Sequence, residues 1–190
     1  MRAFIAIELP QEIKDKLAQL QALLKESRAD VKWVEPKNIH LTLKFLGEID
    51  EDKSVKISGI IEDIAKESRQ FPISLSSLGA FPKLDFARVI WIGIDKGDQE
   101  TKLLAKGLEE RIEKLGILKE ERVFSTHITI GRVRSPLNKD KLAEALKKLG
   151  DYFAGKNIKF TVTKITLFKS TLGSSGPVYE ALKTLDITTT

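Results

Sequence analysis

Two short runs carry the only two histidines of this 190-residue chain. They are Asn38-Ile39-His40-Leu41-Thr42-Leu43-Lys44-Phe45 and Ser125-Thr126-His127-Ile128-Thr129-Ile130-Gly131-Arg132. Each is a His-apolar-Thr-apolar run, and the two lie 87 positions apart. Histidines scattered at random would rarely both land in one four-residue pattern. The repeat therefore limits the folds this chain can adopt to those that use one unit twice.

The same offset aligns more than the histidines. It lays Phe4-Ile5-Ala6-Ile7-Glu8 on Trp91-Ile92-Gly93-Ile94-Asp95, and the helix pattern of 11–26 on the one that opens near Asp98. With a two-residue slip, Phe71-Pro72-Ile73-Ser74 falls on Phe160-Thr161-Val162-Thr163. Each half then reads strand, helix, histidine strand, helix, strand, strand. Apolar residues at helical spacing predict helices over about 11–26 (Ile13, Leu17, Leu20, Leu24), 52–68 (Val55, Ile57, Ile60, Ile61, Ile64) and 98–115 (Leu103, Leu104, Leu108, Ile112, Leu115). A fourth, over about 139–149, carries Leu142, Leu146 and Leu149 behind a capping Asn138. Phe71 to Phe81 and Ala87 to Ile94 read as a hairpin, and Lys159 to Lys169 and Val178 to Ile187 as closing strands.

This pattern predicts an α+β, bilobal, duplicated fold. Two antiparallel sheets carry helices on their outer faces, and a central cleft carries the two His-x-Thr motifs. No Pro/Gly/Ser-rich linker separates the halves, about 1–88 and 89–190. We expect one integral domain over 1–190 made of two pseudo-symmetric lobes.

Apolar residues at 42% and charged residues at 31% suit a soluble protein with a sizeable core. No apolar run reaches the roughly 20 residues of a membrane span, and Glu8 and Pro10 end the first apolar run too early for a secretory signal. The absence of cysteine excludes disulfides and thiolate metal sites and fits a cytoplasmic protein. A net charge of +5 favours a polyanionic partner such as nucleic acid. Abundant Lys, Glu and Ile give the chain a thermophile-like composition.

On a strand, residues two apart share a face. His40 and Thr42, and likewise His127 and Thr129, should therefore face the cleft, with the aliphatic residues between them in the core. Two imidazoles with pKa near 6.5 can divide labour, one accepting and one donating a proton. Threonine hydroxyls can donate to the non-bridging oxygens of a phosphate between them. A cyclic phosphodiester suits such a site: water needs a base and the leaving ribose oxygen an acid. Two histidines without cysteine or flanking carboxylate make a poor metal site, so no metal and no cofactor are expected.

Alternation also gives Lys44 cleft parity, and places Arg132 on the core side unless Gly131 permits a bulge. Phe45 reads as core before base-stacking; Arg88, at a hairpin end, is a further candidate substrate contact. Trp33 and Trp91 read as core anchors.

His40-Leu41-Thr42-Leu43-Lys44-Phe45-Leu46-Gly47 and His127-Ile128-Thr129-Ile130-Gly131-Arg132 resemble the twin signatures of the 2H phosphoesterases. The chain is most similar to their RNA 2′,3′-cyclic phosphodiesterase (2′-5′ RNA ligase) branch. Further matching blocks are Arg2 to Ile7, Trp33 to Asn38, Phe81-Pro82 before Ala87 to Trp91, Leu167 to Ser170, and Gly176 to Tyr179. The resemblance implies metal-independent hydrolysis of RNA 2′,3′-cyclic phosphodiester ends to 2′-phosphomonoesters, with reverse 2′-5′ ligation as a further activity. It implies His40 as proton donor, His127 as acceptor, and Thr42, Thr129 and Arg132 on phosphate. The expected partners are RNA with a cyclic phosphate end, such as tRNA fragments, and nucleotides, bound to a monomer. Thr126 departs from the family pattern, where proline commonly precedes the second histidine.

Two other readings compete. One is a phosphoesterase for a small cyclic nucleotide, which would need a closed pocket. The other is a non-catalytic RNA- or nucleotide-binding module, whose binding would survive loss of both histidines. A P-loop ligase is disfavoured, since no Gly-x-x-x-x-Gly-Lys-Ser/Thr run occurs.

Overall fold

The strands segregate into two antiparallel sheets, but not half by half. The computed structural model describes residues 1–174 and 176–189. Along these run β1 (Arg2–Glu8), α1 (Gln11–Lys25), β2 (Val31–Trp33), β3 (His40–Glu48), α2 (Glu51–Glu67), β4 (Phe71–Phe81) and β5 (Val89–Ile94). There follow α3 (Asp98–Glu113), β6 (His127–Val133), α4 (Lys139–Ala154), β7 (Ile158–Val162), β8 (Lys164–Gly173) and β9 (Gly176–Asp186). The first sheet has the order β3-β1-β8-β9 and the second β2-β6-β5-β4-β7. Each sheet thus draws strands from both halves of the sequence.

Setting β2 aside, the two orders superpose: β3 on β6, β1 on β5, β8 on β4, β9 on β7. The hydrogen-bond registers refine the sequence offset. Ala6 lies opposite Thr42, and Trp91 opposite Thr129. Equivalent residues of β1 and β5 are therefore 85 apart, not 87. Ala6 also pairs with Thr166 and Trp91 with Gly79, so β4 and β8 keep the 87-residue offset; Phe160 to Val162, which the sequence alignment laid on Phe71 to Ile73, belong instead to β7, the strand paired with that part of β4. A slip of two leaves every side chain on its own face, so the alternation pattern cannot detect it.

The single strand expected over Lys159 to Lys169 is two strands in different sheets, with Thr163 between them. Ile158, Phe160 and Val162 alternate with exposed residues; beyond the break Ile165, Thr166, Leu167 and Phe168 are all buried, so the one-sided alternation ends at the crossing.

Helix packing follows the same exchange. α2 and α3 pack on each other, α3 against β3 and α2 against β8 and β9. α4 packs against β4 and α1 against β7. Ile5, Ile7, Leu41, Leu43, Ile165 and Leu167 of the first sheet join the main core under the helices. Phe4, Ala6 and Phe168 form a separate cluster with Tyr179. These are the residues of alternate parity, so the sheet has an aliphatic helix-side face and an aromatic face opposite it.

Three helices match their expected ends within two residues, whereas α4 runs on to Ala154, five residues past its expected end; three further local differences stand out. Leu103, expected inward, is 68% exposed, because it lies off the Thr101, Leu104, Ala105, Leu108 stripe that α3 buries. Val55 of α2 is exposed for the same reason. Asn138 takes a left-handed conformation and makes no side-chain cap; its amide donates instead to the Arg28 carbonyl at 2.8 Å, tying the start of α4 to the end of α1.

Candidate active site

The chain crosses between the sheets just before His40. β2 lies on the edge of the second sheet beside β6, and the Val34 amide donates to the Ile130 carbonyl at 3.0 Å. The buried Gln21 side chain of α1 donates to both the Val34 and Ile130 carbonyls at 2.8 Å. A 3-10 turn, Pro36–Asn38, then delivers the chain to β3 in the first sheet, where the buried Asn38 amide donates to the Pro177 carbonyl at 2.9 Å. These bonds hold the two histidine strands in contact where the sheets meet.

The two histidines are mounted alike. His40 Nδ1 lies 2.7 Å from the Asn38 carbonyl and His127 Nδ1 2.6 Å from the Ser125 carbonyl. A carbonyl can only accept, so each Nδ1 carries the proton. In the neutral ring Nε2 is then the free base, and in the charged ring it is the acid. His40 Nε2 lies 2.9 Å from Thr42 Oγ1, so the pair points at one place. Both histidines and both motif threonines are half-buried, while Leu41, Leu43, Ile128 and Ile130 are fully buried. The expected alternation holds through the His-x-Thr of each strand.

It fails just afterwards, and in the same way twice. Ile5 pairs with Lys44 and Ala6 with Thr42, leaving Leu43 as an extra residue. Ile90 pairs with Gly131 and Trp91 with Thr129, leaving Ile130 extra. A bulge inserts one residue and reverses the faces beyond it. Lys44, expected to face the cleft, is therefore only 2% exposed. Its ammonium donates to Glu109 Oε2 of α3 at 2.8 Å and to the Leu118 carbonyl at 3.4 Å. Glu109 Oε1 accepts the Glu120 amide at 2.9 Å, so the pair also anchors the segment leading to His127. Phe45, read as core, is 55% exposed, near Phe4 at 6.3 Å between ring centroids. Arg132 is exposed by the bulge that Gly131 was required to permit. A Cβ on Gly131 would lie 2.9 Å from Val31 and 3.0 Å from the Trp33 ring, so β2 can cover that point only because the residue is glycine.

Aromatic rings seat the imidazoles. Phe4 lies 4.8 Å from His40, and Tyr179 meets His40 edge-on at 5.4 Å. Phe4 in turn stacks on Phe168 at 5.2 Å. On the other wall Phe81 meets His127 edge-on at 5.2 Å. The Trp91 ring occupies the space that a Cβ at Gly79 would need. Trp91 is half-buried and lines this wall, beside Thr129, instead of anchoring the core. Its buried indole N–H has no acceptor among the described residues.

Burial holds the His40 pKa below its ordinary value of 6.5, against the opposing pull of the Asn38 carbonyl; Lys14 lowers it further and Glu8 raises it. Burial raises Tyr179, while Arg132 of the opposite wall and Arg2 pull its hydroxyl the other way. The action of Arg132 on Tyr179 joins the two walls electrostatically. Arg88 is exposed where the β4–β5 hairpin meets β6: its amide donates to the Phe81 carbonyl and its carbonyl accepts from Val133. Among the described residues no group of three or more His, Asp or Glu lies close enough to hold a metal.

Sequence reasoning missed the aromatic seats and the carbonyl locks. The first left a signal, since Phe4 shares parity with Ala6 on a strand whose other face is aliphatic; the second left none, because the acceptors are backbone carbonyls that any residue would supply.

The two histidine strands are thus mounted as twins, one in each sheet. The model of the LigT-like phosphoesterase family matches the chain twice, over residues 7–91 and 92–179, and the chain belongs to that family. It is an enzyme of that kind. It is 38% identical to an RNA 2′,3′-cyclic phosphodiesterase of Methanocaldococcus jannaschii, over 96% of this chain and 99% of that one. It is 35% identical to a protein of the same name from Methanothermobacter thermautotrophicus, over 94% and 95%. The crystal structure of Escherichia coli LigT complexed with 3′-AMP superposes with a TM-score of 0.78 at 27% identity, over 98% of each chain. No helix of the chain, among the described residues, is long and apolar enough to cross a membrane.

Proposed function

We propose that this enzyme hydrolyses RNA 2′,3′-cyclic phosphodiester ends to 2′-phosphomonoesters. One observation carries the reading: both histidines have Nδ1 locked on a backbone carbonyl, which leaves Nε2 as the nitrogen that exchanges a proton, on the face shared with a threonine. The names of the relatives support the substrate.

The terminal phosphate lies between the walls, with Thr42, Thr129 and Arg132 on its non-bridging oxygens. His127 Nε2 takes a proton from water as the water oxygen bonds to phosphorus. The P–O3′ bond breaks and His40 Nε2 protonates the departing O3′. The products are a 2′-phosphomonoester and a 3′-hydroxyl. Each proton transfer contributes about 10²–10⁴-fold. Burial disfavours the charged form of His40 in the empty site; a phosphate anion beside it favours the imidazolium, so substrate promotes the charging of its own acid catalyst. With the same roles, a 5′-hydroxyl in place of water gives its proton to His127 as its oxygen bonds to phosphorus, O3′ leaves with the proton of His40, and a 2′-5′ linkage forms.

Phe45 and Arg88, both exposed, would serve as base and backbone contacts, and nucleotides are expected to bind the same walls. Lys44 has no place among these contacts. The two halves act as one domain, since neither holds a complete acid-base pair. The reading requires water attack at phosphorus. Hydrolysis in ¹⁸O-water should place one heavy oxygen in the 2′-phosphate and none in the 3′-hydroxyl. A 3′-phosphate product, or label in the ribose hydroxyl, would refute it.

A further inference from the structure

The β4–β5 hairpin runs outward from His127. Its base is Phe81, edge-on to His127 at 5.2 Å. Its tip is the turn Leu84–Phe86, where the Phe86 ring is 57% exposed. Two ammonium groups gather on that ring: Lys83 at 4.8 Å and Lys139, from the first turn of α4, at 5.3 Å from its centroid. Asp85, the one acid in the turn, is taken by Lys147 at 2.8 Å. Lys83, Arg88 and Lys139 make no ion pair among the described residues. Arg88 links tip to cleft, because the next residue, Val89, pairs with Arg132. The positive charge thus continues from Arg132 through Arg88 to Lys83 and Lys139.

An exposed aromatic ring bringing two cations together serves no core, since Phe86 is not buried. It matches the demands of a single-stranded polyanion with unstacked bases. We infer that the Lys83-Phe86-Lys139 cluster is a second RNA contact, holding backbone phosphates on the 5′ side of the cyclic end. This rests on the reading under Proposed function and adds a preference for substrate length. The other basic hollow, about 250 Å³ beside His40, is less suited: Glu8 lines it with Lys14 and Lys37, and Lys37 is paired with Glu35 at 2.9 Å.

The test compares two substrates, adenosine 2′,3′-cyclic phosphate and a six-nucleotide RNA ending in a 2′,3′-cyclic phosphate. The variants are Phe86→Ala and the double Lys83→Ala/Lys139→Ala. Both should lower kcat/KM for the hexamer about tenfold, chiefly through KM. Turnover of the mononucleotide should be unchanged, which also reports an intact fold. For the hexamer, the slope of log(kcat/KM) against log salt should become shallower by about 0.7 for each phosphate that the variant no longer neutralises. Equal effects on both substrates, or none on the hexamer, would overturn the inference. So would a length dependence that disappears in Lys14→Ala/Lys37→Ala instead. If the wild type turned over neither substrate, the proposed function would fall, and this inference with it.

Discussion

His40 Nε2 and Thr42 Oγ1 lie 2.9 Å apart, while the opposite ring nitrogen of His40 is held by the Asn38 carbonyl. The hydroxyl therefore donates to the neutral ring and can turn to phosphate when the ring is charged. Removing such a donor from a transition-state site typically costs about 10²–10³ in kcat. Thr42→Val should show that loss in steady-state kinetics, and Thr42→Ser should recover most of it.

His40 should titrate below 6.5 in the empty enzyme, because burial disfavours its charged form. With only two histidines in the chain, imidazole NMR can follow each separately. If His40 is the proton donor, it acts only in its charged form, below its own pKa. The alkaline limb of kcat/KM should therefore begin below 6.5, and the corresponding limb of kcat should lie higher, since bound phosphate favours the imidazolium. Stability follows in sign. The unfolded chain binds this proton first as pH falls, so the folded state loses stability between 6.5 and the lower folded value.

The buried Lys44–Glu109 pair predicts an asymmetry between single and double substitutions. Lys44→Met strands Glu109 and should cost about 3 kcal/mol in urea unfolding, at the low end for buried pairs since Glu109 is partly exposed. Lys44→Met/Glu109→Leu should recover most of that, because two apolar side chains leave no charge unpaired.

Neighbouring residues of β3 should behave oppositely. Leu43→Ala removes a buried side chain and should cost about 2–5 kcal/mol. Phe45→Ala should change stability by no more than about 0.5 kcal/mol, yet raise KM for RNA ends by the equivalent of about 1–3 kcal/mol of base stacking. Thermal unfolding and KM measured on the same preparations check both.

The site was legible where the chemistry repeats. His40, Thr42, His127 and Thr129 stand in period-two runs, and period two determines the face. Lys44 and Phe45 were misplaced because a bulge leaves no mark in alternation: Leu43-Lys44-Phe45-Leu46 reads as regular strand. In β6, Gly131 did signal the same bulge, since only glycine fits beneath Val31 and Trp33. The sheets were legible as two and antiparallel. Their exchange of strands was not, because pairing partners depend on long-range register. Helical stripes such as Ile13, Leu17, Leu20 and Leu24 were read directly, because one buried face fixes each helix's phase.

Cleavage of a cyclic phosphodiester by His40 and His127 acting together can be measured directly. The enzyme is incubated in EDTA with an oligonucleotide ending in a 2′,3′-cyclic phosphate, and the terminal phosphate is identified. The wild type should yield a 2′-phosphate, and either His40→Ala or His127→Ala should slow its formation about 10²–10⁴-fold. Turnover that persists undiminished when both histidines are replaced would contradict the two-histidine mechanism.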